Sequence, residues 1–453
     1  LNSEIISKLK ESLNSFDSGE RRYALEQLNG LTTRENGELQ NVNLHFHSFN
    51  SYHAEFWSPS RIALEAKQNA LYAAGIIDFD VLAGLEEFFN AGELLGIRTS
   101  VGIETRAFLR EYANLEIDSP GEPGVSYIAG TGFYKLPDKN SEQYTILQSY
   151  NQKAMGRNIE LIGRINKHVP EIALDYSEVL LLTPSGNATE RHIISAYINK
   201  ASKVFPEKNS LISYWSNMLG LEYQQAEKII ESGSKLEDSV RTKFAKKGGF
   251  GYQQPSSETF PPVEEFFAFV KSCGAIPMES WLDGTSDGEK DGKALLELSK
   301  SKGAAALNLI PDRNWNIADS KLKAIKTANL KKIVEAAVSM DMPIHIGTEM
   351  NKKGLPFVDD LNGVDLNPYK VIFLNGAKII VGHTLLARFA DYTYLGDKAA
   401  NDFPDLKKRN TFFASVGSLP ALDKKIGDIL RESGDEKAFG IICKSSKKGK
   451  WIN

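Results

Sequence analysis

The stretch Asn41–His47, NVNLHFH, alternates apolar Val42, Leu44 and Phe46 with polar residues, the period of a β-strand. The same alternation puts His45 and His47 on one side of that strand, where both imidazoles can reach a single metal ion. Ser58-Pro59 comes next, and a helix is expected from Pro59 through Arg61–Ala73, because proline suits the first helical turn. From here the pattern repeats. Gly75–Phe79 (GIIDF) reads as a strand, Gly84–Leu95 as a helix and Thr99–Glu104 (TSVGIE) as a strand. Val125–Ala129, Ala275–Met278, Ala304–Ile310, Pro343–Gly347 and Ala377–Gly382 continue the series. About eight strands separated mostly by helices predict an α/β fold, a distorted TIM-like barrel of parallel strands rather than an open sheet.

The middle of the chain breaks this rhythm. Tyr150–Pro261 is mostly helical in pattern, with helices expected at Lys153–Lys167, Glu190–Lys203, Asn209–Met218 and Tyr223–Ser232. Stretches rich in Gly, Pro and Ser, Thr183–Asn187 and Gly248–Pro262, punctuate it. The expected organisation is an N-terminal helical segment (1–40), a first barrel part (41–149), a helical insertion over the barrel mouth (150–261), and a second barrel part with a C-terminal extension (262–453).

Bulk properties bound the function. The 453 residues, 42% hydrophobic, suffice for a sizeable core. A formal net charge of -4 gives no footprint for broad nucleic-acid binding. Cys273 and Cys443 lie too far apart to suggest a disulfide framework, so a reducing cytoplasm is the expected compartment. No apolar run is expected to span a membrane. The opening LNSEIISKLKESLNSF is amphipathic and mixed in charge, unlike a signal peptide.

A barrel of this kind carries its active site at the C-terminal ends of its strands. Here those ends hold His45 and His47, Asp78-Phe79-Asp80, Glu104, Gly347-Thr348-Glu349-Met350-Asn351 and Gly382-His383-Thr384. Singly, each has an ordinary explanation: a hydrogen-bonded histidine pair, a salt-bridged glutamate, a core histidine. Together, imidazoles and carboxylates at successive strand ends favour a metal site.

These motifs resemble those of the PHP (polymerase and histidinol phosphatase) superfamily. His45-Phe46-His47-Ser48 before Ser58-Pro59 is similar to its first motif, and Gly75–Asp80 with Gly84-Leu85 to its second. Gly102-Ile103-Glu104 resembles the third, and Val125–Gly130 stands in the place of the fourth. Arg191-His192-Ile193 resembles the R-P-H-[IF]-A element of the exoribonuclease and nucleoside-bisphosphate phosphatase branch. Gly274–Pro277 and Gly347–Asn351 match later motifs of that branch in order.

The resemblance implies a complete first metal site at His45, His47, Glu104 and Glu349. It also implies depleted further sites, because Phe79, Tyr127 and Asn351 replace expected histidines. His53, Tyr127, Glu279 and Asn351 are its remaining candidate ligands. One or two ions of Mn²⁺, Zn²⁺ or Fe²⁺ and a small phosphate ester as substrate follow from it. Arg191 and His192 would hold the phosphate, since a guanidinium matches phosphate bidentately. Asp78 would orient a ligand histidine, its ordinary alternative being a helix cap or a structural carboxylate. His383 would replace a lost ligand or act as general acid, its alternative being a core histidine. Trp57, Trp281 and Trp315 would stack on a base or sugar, or fill the core. Two other functions stay open: a non-catalytic binding protein of the same fold, and metal-dependent chemistry on an unphosphorylated carbohydrate.

Overall fold

The computed structural model describes residues 3–31, 40–256 and 259–452; parts of the expected N-terminal segment (1–2, 32–39) and of the Gly248–Pro262 stretch (257–258) lie outside them. Seven strands form one sheet in chain order: β1 Val42–Phe46, β2 Ala73–Phe79, β3 Arg98–Phe108, β4 Val125–Thr131, β5 Ile276–Trp281, β6 Ala306–Leu309 and β7 Ile344–Ile346. The sheet curls until its edges meet. Glu349, just past β7, bridges Phe46 in β1: Glu349 N–H donates to His45 O at 2.7 Å, and His47 N–H donates to Glu349 O at 2.9 Å. The barrel is thus closed by a bridge rather than a full ladder, and is distorted.

Local chemistry explains the elements. Ser58 caps the helix Pro59–Gln68 by accepting from Arg61 N–H, with Pro59 where a missing N–H costs nothing. That helix stops short of the expected Ala73, because β2 starts there. The β1 residues are all buried, as befits a strand covered on both faces.

Two expectations are corrected. The strands are not all parallel: β4 runs antiparallel to both β3 and β5. The link from β3 to β4 holds only the turn Arg110–Tyr112, with no crossover helix to return the chain to the starting end. Ala377–Gly382 is not an eighth strand but the middle of the helix Lys370–Ala390. A short apolar run has no period that separates a buried strand from a buried helix. This helix is apolar nearly all round because β7 and the helix Leu406–Gly417 cover it. By length and composition Asn367–Ala390 could span a membrane, contrary to expectation, but most of it is buried in the core.

Between β4 and β5 the chain makes a helical excursion. It begins with the 25-residue helix Glu142–Asn166, about 37 Å long at 1.5 Å per residue. The excursion has its own apolar cluster, built around Ile165, Tyr197, Trp215 and Phe244. A further cluster joins Ile77, Ala129, Met278 and Ala306 of the strands to Ile379, Leu386 and Phe413 of the C-terminal helices.

Candidate metal centre

His45, His47, Glu104 and Glu349 converge: one ligand atom from each lies within 4.8 Å of all the others, and all four side chains are buried. Two bonds of about 2.1 Å to one ion span at most about 4.2 Å, so a small side-chain adjustment would bring the widest pair within reach of one ion. Glu104 Oε2 stands 3.7 Å from His45 Nε2 and 3.5 Å from His47 Nε2. Two donors about 2.1 Å from one ion at a tetrahedral angle lie about 3.4 Å apart. All three atoms are buried without a hydrogen-bond partner. Buried polar atoms nearly always have one, so the donors fit a divalent ion.

The surroundings set the imidazoles for that task. Asn308 Nδ2 donates to Ser280 Oγ at 3.0 Å, so Asn308 Oδ1 is the acceptor facing His45 Nδ1 at 3.2 Å. His45 therefore carries its proton on Nδ1 and leaves the Nε2 lone pair toward Glu104. Ser51 Oγ donates to Asp78 Oδ1 at 2.6 Å and so accepts from His47 Nδ1, 3.3 Å away. His47 Nε2 is freed in the same way. Asp78 also accepts from Ser48 N–H and Ser48 Oγ–H, each at 2.7 Å. It thus orients His47 through Ser51 and is not a helix cap. Asp78→Asn replaces an acceptor with a donor facing these serines. We expect about 10–100-fold weaker metal binding, read by competition with a chelating dye; an unchanged affinity would refute the relay.

Glu349 is presented by a strained backbone. Glu349 and Met350 both have positive φ, 60° and 51°, a conformation costly for residues other than glycine. The bridge to β1 and the bond from Ala54 N–H to Met350 O hold it. Burial opposes charge on Glu349, but Arg313 with His45 and His47 brings its pKa down to about 2. Burial works against His45 too, yet Glu104 and Glu349 outweigh it and raise its pKa, while burial beside His45 puts His47 well below the usual range.

The other sequence candidates separate. His53 Nδ1 accepts from Glu55 N–H at 3.0 Å, so its neutral ring carries the proton on Nε2, the wrong tautomer for a ligand on that side. Glu279 faces away from the cavity, since strand alternation puts it opposite cavity-lining Ser280; its carboxyl accepts from Ser126 and Ser299. Tyr127 and Asn351 line the cavity, but burial lifts the Tyr127 hydroxyl to about 12 and keeps it neutral. Phe79 stacks on His47 with ring centroids 4.6 Å apart, a carbon face in place of a further donor.

His192 is the capping partner of its own helix, its Nδ1 accepting from Thr189 N–H at 3.1 Å, and does not line the cavity. His383 is corrected as well. It lies within a helix, its Nε2–H donating to Gly132 O and its Nδ1 accepting from Tyr394 N–H. With both nitrogens engaged by backbone it is a core histidine, not a general acid. Trp57, Trp281 and Trp315 do not line the cavity either.

The cavity above the cluster measures about 600 Å³. Arg191, from the excursion, lines it together with Glu104 and Glu349. Its guanidinium lies 5.9 Å over the Tyr52 ring and has no carboxylate partner among the described residues. Arg106 donates to Glu122, and Arg241 and Lys246 to Glu190. These cations, with Arg313, Asn308 and Ser51, were not singled out in the sequence. Asn308 left a trace as a lone amide within the apolar run AAALNLI, and Arg313 as a charge just past the same strand.

No protein-family model and no curated protein matches the chain. Solved structures similar to it include an amidohydrolase from Chromobacterium violaceum with bound sulfate and no metal, at a TM-score of 0.46 and 15% identity over 71% of this chain and 91% of that one. Another is a "putative metal-dependent phosphoesterase" from Bifidobacterium adolescentis, at a TM-score of 0.45 and 17% identity over 71% of this chain and 94% of that one. Both likenesses concern the course of the chain and carry nothing about the site.

Proposed function

We propose that the protein is a metal-dependent hydrolase of the PHP type that acts on a small phosphate ester. The observation that carries this reading is the set of buried, unpartnered donor atoms on His45, His47 and Glu104, completed by Glu349. Two imidazole nitrogens and two carboxylates suit Mn²⁺, Zn²⁺ or Fe²⁺, and one ion per chain matches the one such cluster among the described residues. A divalent ion there supplies Lewis acidity, lowering the pKa of a water and polarising a phosphoryl oxygen. The chain's own residues do the rest: Asn308 and Ser51 fix the ligand tautomers, and Arg191 offers an uncompensated positive charge to an anionic substrate.

The test is the metal content of protein purified without chelator, followed by hydrolysis of a panel of phosphate esters with and without added Mn²⁺. Uptake of about one ion and chelator-sensitive hydrolysis are expected. Arg191→Ala should mainly raise KM, because a cation that only holds the ground-state phosphate contributes to binding rather than to the chemical step. A fall in kcat at constant KM would remove that role. Phe79 on His47 favours a second reading, a binding protein that keeps one ion. Bound metal with no hydrolysis across the panel would support it.

A further inference from the structure

One ion neutralises only part of the charge that develops on a phosphoryl group and its leaving oxygen, so a second positive group beside it would matter. The arginines lining the cavity are Arg106, Arg157, Arg191, Arg241 and Arg313. Arg106 and Arg241 are held by Glu122 and Glu190, and Arg157 donates to Thr259 O and packs on Phe260. Arg313 is the one bonded to the metal cluster: its Nη2 donates to Glu349 Oε2 at 2.7 Å.

Arg313 is also firmly mounted. It sits in the short helix Asp312–Trp315, just past β6. Asn314 and Trp315, the two residues that follow it, donate to Leu282 O and Asp359 Oδ1, both at 2.7 Å. A guanidinium has five N–H donors. Here one reaches Glu349, Nε is buried without a partner, and Nη1 has none among the described residues. Its terminal Nη1 and the remaining Nη2 donor are thus free at the edge of the cluster, within the cavity that Arg191 shares, while Nε stays buried.

We propose that Arg313 is the second electrophile of this site, binding the phosphoryl oxygens beside the ion and stabilising their charge as the ester bond breaks. The proposal rests on the phosphoesterase reading above. In the reaction, a water oxygen bonds to phosphorus and loses a proton to solvent. The bond from phosphorus to the alcohol oxygen breaks, and that oxygen keeps the electron pair and takes up a proton from solvent. Ester and water become alcohol and inorganic phosphate. A guanidinium matches two phosphoryl oxygens at once and keeps its charge throughout the working pH range.

The experiment is a pair of calorimetric titrations, Mn²⁺ and then inorganic phosphate, on wild type, Arg313→Met and Arg313→Lys, with ester hydrolysis alongside. Arg313→Met should keep the Mn²⁺ stoichiometry, bind phosphate about tenfold or more weakly, and lose about 100-fold in kcat. Arg313→Lys should recover only part of both, since a point charge lacks the fork. Unchanged phosphate affinity and kcat in Mn²⁺-loaded Arg313→Met would overturn the assignment. So would a loss explained wholly by lost Mn²⁺, which would make Arg313 only a holder of Glu349. Failure of wild type to take up Mn²⁺ would overturn the metal reading itself, before any variant is compared, and Arg313's role with it. If wild type binds Mn²⁺ but hydrolyses nothing, the phosphoesterase reading fails and the catalytic assignment with it, while the phosphate titration still decides whether Arg313 binds the anion.

Discussion

His45→Ala and His47→Ala are each expected to yield a folded protein that no longer holds its ion and no longer hydrolyses esters. Each histidine would contribute a direct bond, and each presents a buried Nε2 to Glu104 with nothing else to satisfy it. Removing either takes one direct protein bond from the ion and leaves only water to refill it, where both side chains are buried. Changing a merely supporting partner costs about 10–100-fold in metal affinity; loss of a ligand should exceed that. Elemental analysis should fall from about one ion per chain to a trace, and Mn²⁺-dependent hydrolysis should vanish with it. Circular dichroism checks the fold. Full metal stoichiometry in His45→Ala would end the proposed site, and hydrolysis that survives both this change and chelation would come from elsewhere.

The second large effect concerns the fold that holds Glu349 in place. The helix Lys370–Ala390 lies directly on β7, and a Cβ at Gly376 would collide with the Ile344 carbonyl oxygen. Gly382 stands likewise against Phe413 O, and Gly417 against Lys378 O, so three glycines let this helix meet its neighbours backbone to backbone. Gly376→Val forces that contact apart. We expect a loss of about 3 kcal/mol, seen as a lower denaturation midpoint at unchanged slope. Because β7 leads straight to Glu349, metal binding should weaken as well. Gly156→Ala is the control: it lies in the helix Glu142–Asn166 with nothing within 4 Å of its added methyl, and should gain about 0.5–1 kcal/mol. A Gly376→Val protein as stable as wild type would refute the close packing.

What the sequence by itself determined lies in short-range pattern. The alternation in NVNLHFH puts His45 and His47 on one side of β1 whatever the rest of the chain does, because side chains on a strand repeat every second residue. Glu349 was legible as a carboxylate just past a strand end, Glu104 as a strand carboxylate although β3 runs on to Phe108 instead of ending there, and Phe79 as a position that cannot donate to a metal. Glu279 was a candidate by residue type, and the structure shows that Ser280 beside it, not Glu279, lines the cavity. The tertiary structure alone decided what depends on distant partners. His45 takes its tautomer from Asn308, 263 residues away, and no local pattern carries that distance. His53 looks like a ligand and His192 like a phosphate-holding group by residue type, and only backbone N–H groups reaching their Nδ1 atoms fix their tautomers. Ala377–Gly382 reads equally as strand or helix, because burial on both sides erases the period that distinguishes them. The direction of β4 and the place of Arg313 beside Glu349 likewise follow from closing the barrel, where residues far apart in the chain become neighbours only because the sheet curls back on its own first strand.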